Sequence, residues 1–502
     1  MTRNKINNVT FKELKHICKP IDVTGPEPDT IGALIQDSRS VEPGDTFIAV
    51  RGTQVDGHHF IDEAITKGAS LIICEEPFYT DEDVCTMKVA DTRELLGPLA
   101  QALEGNPAEK LQIIGITGTN GKTTVATLTY QALQLLGAKP SLLGTVAKRI
   151  NDEELDSLLT TADPIELARD MQRMVQAGST HLVMEVSSHA LDQQRVDGID
   201  FEVAAFTNLS HDHLDYHSDL DAYAASKKQL FDYLSDDSTA IINNDDEQAS
   251  YIISDTGAEV ISFSFENKED IRCKIKQSTA RGITVDVNGI SIESPMAGQF
   301  NAYNVAQTFL ICRALGFENK SIAQALEQAS GAAGRLQRIQ VENQENKPLV
   351  LVDYAHTPGA LKNVLQSLAD TKEEQETLHV IFGCGGDRDK TKRPKMAGVA
   401  EDNADIVTIT SDNPRSEDPD AIIDDAIQGF MSPDKVTRIT DRRNAIEQTI
   451  ARAYKNTIIL IAGKGHETYQ EINGERHAFD DREIARRALA NRNDNPKNQE
   501  VR

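Results

Sequence analysis

Apolar residues along the chain follow two alternating rhythms. Short apolar runs of strand length are separated by segments whose apolar residues recur at helical spacing. Up to about Pro107, the runs Thr46-Phe47-Ile48-Ala49-Val50 and Leu71-Ile72-Ile73-Cys74 predict strands and residues 61–68 predict a helix, together a small α/β unit. Glu104-Gly105-Asn106-Pro107 joins a helix stop, a turn former and a conformationally restricted proline, which predicts a linker. From Leu111 to about Gln340, apolar runs at 113–116, 181–185, 203–207 and 240–242 alternate with helical patterns. That alternation predicts a parallel sheet with helices on both faces. A third α/β segment begins near Pro348, with strands expected at 349–352, 378–382, 406–409 and 457–461. The last dozen residues, NRNDNPKNQEVR, carry almost no apolar side chains and are expected to be disordered. The 502 residues divide naturally at roughly 150 per domain into domains 1–107, 108–340 and 341–490, with a tail at 491–502.

The start of the second segment carries the first sign of chemistry. Residues 111–116 read as a strand, Gly118-Thr119-Asn120-Gly121-Lys122-Thr123-Thr124 as a loop, and 125–136 as a helix. Strand, glycine loop and helix form a phosphate cradle. The glycines permit close backbone approach, so that successive N–H groups and the positive helix end face phosphate oxygens. Lys122 is then placed for the terminal phosphate and the Thr123 hydroxyl for Mg²⁺. The spacing departs from the usual pattern, since Ile116 stands where the first glycine would be.

Two later segments add polar groups at predicted strand ends, where doubly wound sheets hold their ligands. The first is Glu185-Val186-Ser187-Ser188-His189, and the second runs from Asn208 to His217 with His211, Asp212, His213 and Asp215. A hard cation with oxygen ligands and one imidazole, held by Thr123, Glu185 and His213, is the natural occupant. Zinc would need a closed set of three or four nitrogen and sulfur ligands, which these carboxylates fit poorly. For His211 and His217 taken singly, capping or packing is as good a reading as ligation.

Composition sharpens this picture. Lys and Arg number 52 against 79 Asp and Glu, a net charge of −27, with 39% hydrophobic residues and a mean hydropathy of −0.41. Such a surface repels nucleic acid and anionic membrane, so an anionic ligand must be held by local cations, backbone N–H groups or a divalent metal. The six cysteines form no C-x-x-C pair and read as reduced thiols. No signal-like region opens the chain and no apolar run approaches the roughly 20 residues needed to span a bilayer, so a cytoplasmic protein is expected.

Together these motifs resemble the Mur ligases, the ATP-dependent amide-forming enzymes of peptidoglycan synthesis. The phosphate loop, Glu185-Val-Ser-Ser-His, Asn208-Leu-Ser-His-Asp-His-Leu-Asp-Tyr-His and Asp353-Tyr-Ala-His-Thr-Pro carry the resemblance, which runs from Asp37-Ser-Arg-Ser to about Asp481. It implies three domains: a small α/β N-terminal domain for the UDP end, a central doubly wound P-loop ATPase-like domain, and a Rossmann-like C-terminal domain that admits the amino acid. By position, Ser38 and Arg39 would meet the uridine nucleotide, and Thr160, Thr161, Ser188, Gln193 and Arg195 the muramoyl-peptide. Asn301, Arg335 and Asp353 would join the phosphate loop in contacting ATP. The family usually has Thr-Thr-Pro where this chain has Thr160-Thr161-Ala162. Lys227 matches the lysine that the family carbamylates with CO₂, turning a cation into an oxygen ligand for a second Mg²⁺.

The segment Ser411-Asp412-Asn413-Pro414-Arg415-Ser416-Glu417-Asp418-Pro419 follows a third-segment strand. A turn leading into a helix over 421–430 explains Asp418 as N-cap and Pro419 as the first helical residue. It does not require Arg415, whose planar fork suits a carboxylate. In Mur ligases that add meso-diaminopimelate, the resembling Asp-Asn-Pro-Arg holds the distal carboxylate that lysine lacks. Arg388 and Glu467, with Gly463 nearby, resemble its companions, Glu467 suiting the distal ammonium.

The resemblance therefore implies that the D-glutamyl carboxylate of UDP-MurNAc-L-Ala-D-Glu attacks the γ-phosphate of ATP. The resulting acyl phosphate is taken up by the amine of diaminopimelate. Lys122 and Mg²⁺ would spread the charge of the transferring group, and closure of the C-terminal domain would assemble the site. His356 and His466 are candidates for the amine's general base. A monomer with small-molecule substrates, no nucleic acid and no membrane partner is expected. Three rivals remain: the same ligase adding L-lysine, a folylpolyglutamate-synthetase-like ligase, and a nucleotide-binding regulator without chemistry. The second lacks counterparts of Asp37-Ser-Arg-Ser and Asp412-Asn-Pro-Arg, and the third has no need of Lys122, Glu185, His213 and Lys227 together.

Overall fold

A computed structural model describes residues 9–52, 55–78, 80, 83–151, 153–155, 159–211, 216–266, 271–342 and 346–492. The chain forms two compact units, one of residues 1–126 and 133–263, the other of 127–132 and 264–502. The tail expected to be disordered lies almost wholly outside the described residues, as do Asp212, His213 and Asp215.

The first unit contains two sheets. The smaller runs in the order Asp22–Thr24, Cys85–Lys88, Leu71–Cys74, Thr46–Ile48, Leu34–Ile35, parallel except for the first pairing. Its central strands are buried on both faces, Ile48, Leu71 and Ile73 packing with Leu14, Leu96 and Leu99, and Phe47, Ile72 and Cys74 with Ile61 and Ala64. Asp91 starts the helix Thr92–Leu103 by accepting from the N–H groups of Arg93 and Glu94 at 2.8 and 3.0 Å. That helix buries Leu96, Leu99 and Leu103 with Leu14, Ile73 and Met87.

The larger sheet of this unit is parallel through Glu259–Ser264, Thr239–Asn243, Val203–Phe206, Gln112–Thr117, His181–Glu185 and Pro140–Leu143. Lys148–Ile150 and Glu153–Leu155 then close the edge antiparallel. Gln112–Thr117 lies between Val203–Phe206 and His181–Glu185, so chain order reverses direction around it. Such a reversal opens a crevice at the carboxyl ends of the strands. Every strand predicted here is present, with ends moved by a residue or two. The helix after the glycine loop is Lys122–Leu135.

In the second unit the expected βα alternation breaks. Ile271–Thr279, Gly282–Val287 and Ile290–Ser294 form an antiparallel meander. Asn288 and Gly289, at φ of 50° and 88°, make the tight turn whose twist matches a hairpin. A two-residue connection cannot cross over to a parallel neighbour, which is why the parallel reading fails between 271 and 294. The helices Phe300–Ala314 and Asn319–Gln328 follow.

The remaining sheet has the order Gln337–Arg338, Leu349–Asp353, Thr457–Ala462, Thr377–Phe382, Ile406–Ile409, Thr437–Arg438, parallel except for the first strand. Separate apolar cores cover its two faces, one around Leu351, Leu365, Phe382 and Met396, the other around Val350, Ile446, Ile461 and Ile484. At the carboxyl end of the sheet, fully buried Arg442 donates to both oxygens of fully buried Asp481 at 2.8 and 2.7 Å and to the carbonyl of Ala462 at 3.0 Å. All six cysteines are buried, and desolvation pushes the thiols of Cys18, Cys312 and Cys384 up to about 12. No helix among the described residues is long and apolar enough to cross a membrane.

Candidate active site

The glycine loop follows the central strand of the first unit's larger sheet. Gly118 is at φ 143°, and a Cβ there would lie 1.9 Å from the Thr207 hydroxyl, so no larger residue fits. The loop is stitched to the end of Val203–Phe206. Thr119 N donates to the Asn208 carbonyl at 2.7 Å, Asn120 N to Asn208 Oδ1 at 3.1 Å, and the Thr207 hydroxyl to the Asn120 carbonyl at 2.6 Å. Ser210 N donates to the Thr119 hydroxyl at 3.0 Å. The loop's shape is therefore fixed by side chains from the neighbouring strand end.

Two lysines converge on it. Lys122 Nζ donates to the carbonyls of Gly118 and Thr119 at 2.8 and 2.9 Å, and Lys227 Nζ donates to the same Gly118 carbonyl at 2.8 Å. Lys227 is only 1% exposed, and its ammonium sits 4.3 Å from the centre of the Tyr223 ring. Its helix, Leu220–Asp232, is started by Asp219, which accepts from Ala222 N at 2.8 Å.

Glu185 ends its strand at 1% exposure, and both of its oxygens are held. The Thr123 hydroxyl donates to Oε2 at 2.8 Å and Thr145 N to Oε1 at 2.8 Å, with the Thr145 hydroxyl 3.3 Å from Oε2. The hydroxyls of Thr145 and Thr160 share a hydrogen bond of 2.9 Å. A buried carboxylate ringed by hydroxyls at a phosphate loop is a donor set for a hard divalent cation. Among the described residues no group of three or more His, Cys, Asp and Glu side chains forms a metal cage.

Beside this carboxylate, Thr161 is pinned three ways. Its hydroxyl donates to the Glu185 carbonyl at 2.8 Å and accepts from Ser187 N at 3.1 Å, while its carbonyl accepts from Arg195 NH1 at 2.8 Å. The loop thus does not depend on a proline at Ala162. Arg195 also donates to Gln193 Oε1 from NH2 at 2.7 Å, and Gln193 Nε2 donates to the Tyr216 hydroxyl at 3.1 Å. Burial lowers the pKa of Arg195, opposed in part by the charge of Asp163. Ser188 and His217 share a hydrogen bond of 3.0 Å, and His217 packs 5.0 Å from Tyr223, a packing role for this histidine. His211 is exposed. In the turn Ser38–Ser40 that follows the strand Leu34–Ile35, Ser38 donates to Glu63 Oε2 at 2.7 Å, and Arg39 forks onto Asp37 with 83% of its side chain exposed.

In the second unit, Asp353 caps its strand at 7% exposure, accepting from the N–H groups of Leu336 and Ala355 at 2.7 and 2.8 Å. Burial raises its pKa. Arg335 lies 5.3 Å from the Tyr354 ring, and its Nε is buried without a partner. Asn301, 1% exposed, donates to the Ala297 carbonyl at 2.6 Å and accepts from Asn304 at 2.8 Å. The pKa of His466 is lowered by burial and further by Arg335, so its imidazole is neutral near neutral pH, while His356 is exposed.

The 411–419 segment folds as the turn expected of it, with Asp418 capping Pro419–Ile427 through Asp420 N at 2.8 Å. Arg415 adopts a left-handed backbone at φ 53°, and its NH1 donates to the Gly386 carbonyl at 2.6 Å. Asp412 Oδ1 accepts from Asn413 N at 2.7 Å, and a Cβ on Gly463 would lie 2.7 Å from Asp412 Oδ2. Asn413 donates to Glu467 Oε2 at 2.9 Å and accepts from Lys464 at 3.0 Å, and the same Lys464 donates to Glu467 at 2.8 Å. A Cβ on Gly386 would meet the Pro414 carbonyl at 1.9 Å, which locks the two loops together. Arg388 is exposed and only reaches the Asp387 carbonyl, 3.4 Å away. Fully buried Arg393 forks onto Glu417, drawing that carboxyl's pKa down to about 2, and Glu417 in turn accepts from Asp387 N at 2.6 Å. The sequence reading missed Thr145, Lys464 and Glu471. Only Lys464, in a Gly-Lys-Gly run, gave a signal.

Three family profiles match the chain: "Mur ligase family, catalytic domain" at residues 30–103, "Mur ligase middle domain" at 116–312 and "Mur ligase, glutamate ligase domain" at 334–465. The UDP-N-acetylmuramoyl-L-alanyl-D-glutamate–2,6-diaminopimelate ligase of Cytophaga hutchinsonii is 42% identical over 95% of this chain and 99% of its own length. The protein of the same name from Phocaeicola vulgatus is 40% identical over 95% and 100%. A solved structure of a ligase of that name superposes with a TM-score of 0.72 at 33% identity, covering 95% of this chain and 98% of the other. With a phosphate loop, a hydroxyl-ringed carboxylate and relatives of matching length throughout, the chain belongs to the Mur ligase family.

Proposed function

We propose that the chain joins meso-diaminopimelate to the D-glutamate of UDP-MurNAc-L-Ala-D-Glu at the expense of ATP. The observation that carries this reading is the convergence at the glycine loop of the Lys122 ammonium and the buried Lys227 nitrogen with the buried Glu185 carboxylate and the Thr123 hydroxyl. Joining two carboxylate-bearing molecules through a triphosphate concentrates negative charge. A protein of net charge −27 must offset it locally.

The D-glutamyl carboxylate attacks the γ-phosphorus, ADP leaves, and an acyl phosphate results. The amine of diaminopimelate then attacks the acyl carbon, phosphate leaves with the bonding pair, and the amine proton passes to solvent or a neighbouring base. Gly118, Thr119, Asn120, Gly121, Lys122, Thr123 and Thr124 cradle the phosphates, with Asn301, Arg335 and Asp353 as further nucleotide contacts. Ser38 and Arg39 take the uridine end, and Thr160, Thr161, Ser188, Gln193 and Arg195 the peptide. Arg195, half-buried, with its guanidinium held by the Thr161 carbonyl and Gln193, is suited to the D-glutamyl carboxylate. Arg388, Asp412, Asn413, Pro414, Arg415, Gly463 and Glu467 form the amino-acid site. Of these, Arg388 has the weakest support, being exposed.

Thr123 and Glu185, with His213 by family resemblance, would hold Mg²⁺, which supplies charge neutralisation to the phosphates when bound. Lys227 is read as carbamylated by CO₂. By family resemblance a carbamate on this buried lysine beside the glycine loop would turn a cation into an oxygen ligand for a second Mg²⁺. We assign residues 1–107, 108–340 and 341–490 to the UDP-substrate, ATP and amino-acid domains. We read the protein as a cytoplasmic monomer that acts on small water-soluble substrates, with no nucleic-acid or membrane partner.

Incubation with ATP, Mg²⁺, UDP-MurNAc-L-Ala-D-Glu and either meso-diaminopimelate or L-lysine tests the reading by product mass. The diaminopimelate adduct, formed with one phosphate released per product, is expected. Preferential formation of the lysine adduct overturns the assignment of the amino acid, and ATP-dependent release of phosphate with neither adduct overturns the ligase.

A further inference from the structure

Arg415 is gripped by a segment far along the chain. Its backbone N–H donates to the Glu471 carbonyl at 3.0 Å and its carbonyl accepts from Asn473 N at 2.7 Å, forming a parallel bridge with Ile472. Glu471 N donates to Asn413 Oδ1 at 3.0 Å, so one short strand pins both ends of the Asn413-Pro414-Arg415 turn. That strand, Tyr469–Ile472, is half of a hairpin closed by Asn473 and Gly474 at φ of 52° and 81°. The left-handed backbone of Arg415, unfavourable for a side chain of this size, persists because these bonds over-determine it.

The side chains meet as well. Glu471 Oε2 lies 3.4 Å from Arg415 Nε, with the two side chains 26% and 20% exposed. A guanidinium can fork onto a carboxylate along its Nε side or across its NH1/NH2 end. Here Glu471 stands at ion-pair distance on the Nε side, and the Gly386 carbonyl takes one N–H of NH1.

We propose that Glu471 is a positioning residue that sets specificity for the diamino acid. By occupying the Nε side of Arg415, it leaves the NH1/NH2 end as the one fork presented to a distal carboxylate. The inference rests on the reading of Arg415 as the carboxylate anchor and adds the residue that aims it. A fork fixed before the substrate arrives loses less freedom on binding, so the effect appears in the apparent affinity for the amino acid rather than in turnover.

Steady-state kinetics with meso-diaminopimelate varied, read by product mass, test this in the wild type, Glu471→Ala, Glu471→Gln, Arg415→Ala and the double variant Glu471→Ala/Arg415→Ala. Glu471→Ala is expected to raise KM for meso-diaminopimelate about three- to tenfold, with kcat and the KM values for ATP and UDP-MurNAc-dipeptide unchanged. Glu471→Gln, which keeps a hydrogen-bonding oxygen, should recover part of the loss. In the Arg415→Ala background, Glu471→Ala should add nothing. A full additive effect in that background, or parallel changes in the KM values of all three substrates, overturns the proposal. If Arg415→Ala itself leaves KM for meso-diaminopimelate unchanged, the anchor reading fails. An Arg415 effect with a silent Glu471 overturns this inference alone. The backbone bridge does not depend on the Glu471 side chain, so both Glu471 variants should keep the wild-type melting temperature.

Discussion

Gly144 and Glu185 approach so closely that a Cβ on Gly144 would lie 2.4 Å from Glu185 Oε1. The carboxylate leans over a glycine at the end of the neighbouring strand, and that space lets it reach both Thr123 and Thr145. Gly144→Ala should push Glu185 off these partners and cut turnover about ten- to hundredfold. Overpacking should cost about 1–3 kcal/mol of stability. Turnover at saturating substrates together with a thermal melt checks both, and unchanged turnover would mean that the position of Glu185 is immaterial.

Lys227→Ala should lose most activity. If the side chain acts as a carbamate, acetate or another short carboxylate should restore part of it, because the lost group is an oxygen ligand. Absence of rescue over a wide range of carboxylate concentration would favour an unmodified ammonium. Intact mass of the native protein under bicarbonate provides an independent reading.

Glu417 anchors the turn that carries Arg415. Its carboxyl pKa is drawn down to about 2 from an ordinary value near 4.5, chiefly by the Arg393 fork. A depressed folded pKa adds stability that is complete above the unfolded value and fades as pH falls toward the folded one. Glu417→Gln should therefore be less stable than the wild type at pH 6, with the gap narrowing between about pH 4.5 and 2. Denaturant melts at pH 6 and pH 3 measure it, and a gap that does not change with pH would rule out the ion pair as its source.

Asp481→Ala strands the fully buried guanidinium of Arg442. Removing one partner of a buried pair should cost about 3–5 kcal/mol. Replacing both residues by apolar ones of similar volume should cost far less. Chemical denaturation of the single and double variants provides the comparison.

Much of this architecture was legible because its signals are local. Strand, glycine loop and helix are consecutive at 112–135, and Asp412-Asn413-Pro414-Arg415 is a single turn. The partners were not legible. Thr145 reaches Glu185 from the adjacent strand's end, and Glu471 reaches Arg415 through a hairpin, contacts that only the sheet order creates. The antiparallel meander at 271–294 had a readable sign in Asn288-Gly289, but the surrounding βα rhythm outweighed it. His213 lies outside the described residues.

The cysteines offer a way to watch the two units separately. Cys18, Cys74 and Cys85 fall in the first, and Cys273, Cys312 and Cys384 in the second, all of them buried. An alkylating reagent can reach such sulfurs only when the surrounding structure opens. Peptide-resolved labelling rates would then act as two sets of internal clocks, reporting how often each half breathes and whether adding a substrate slows one half, the other or both.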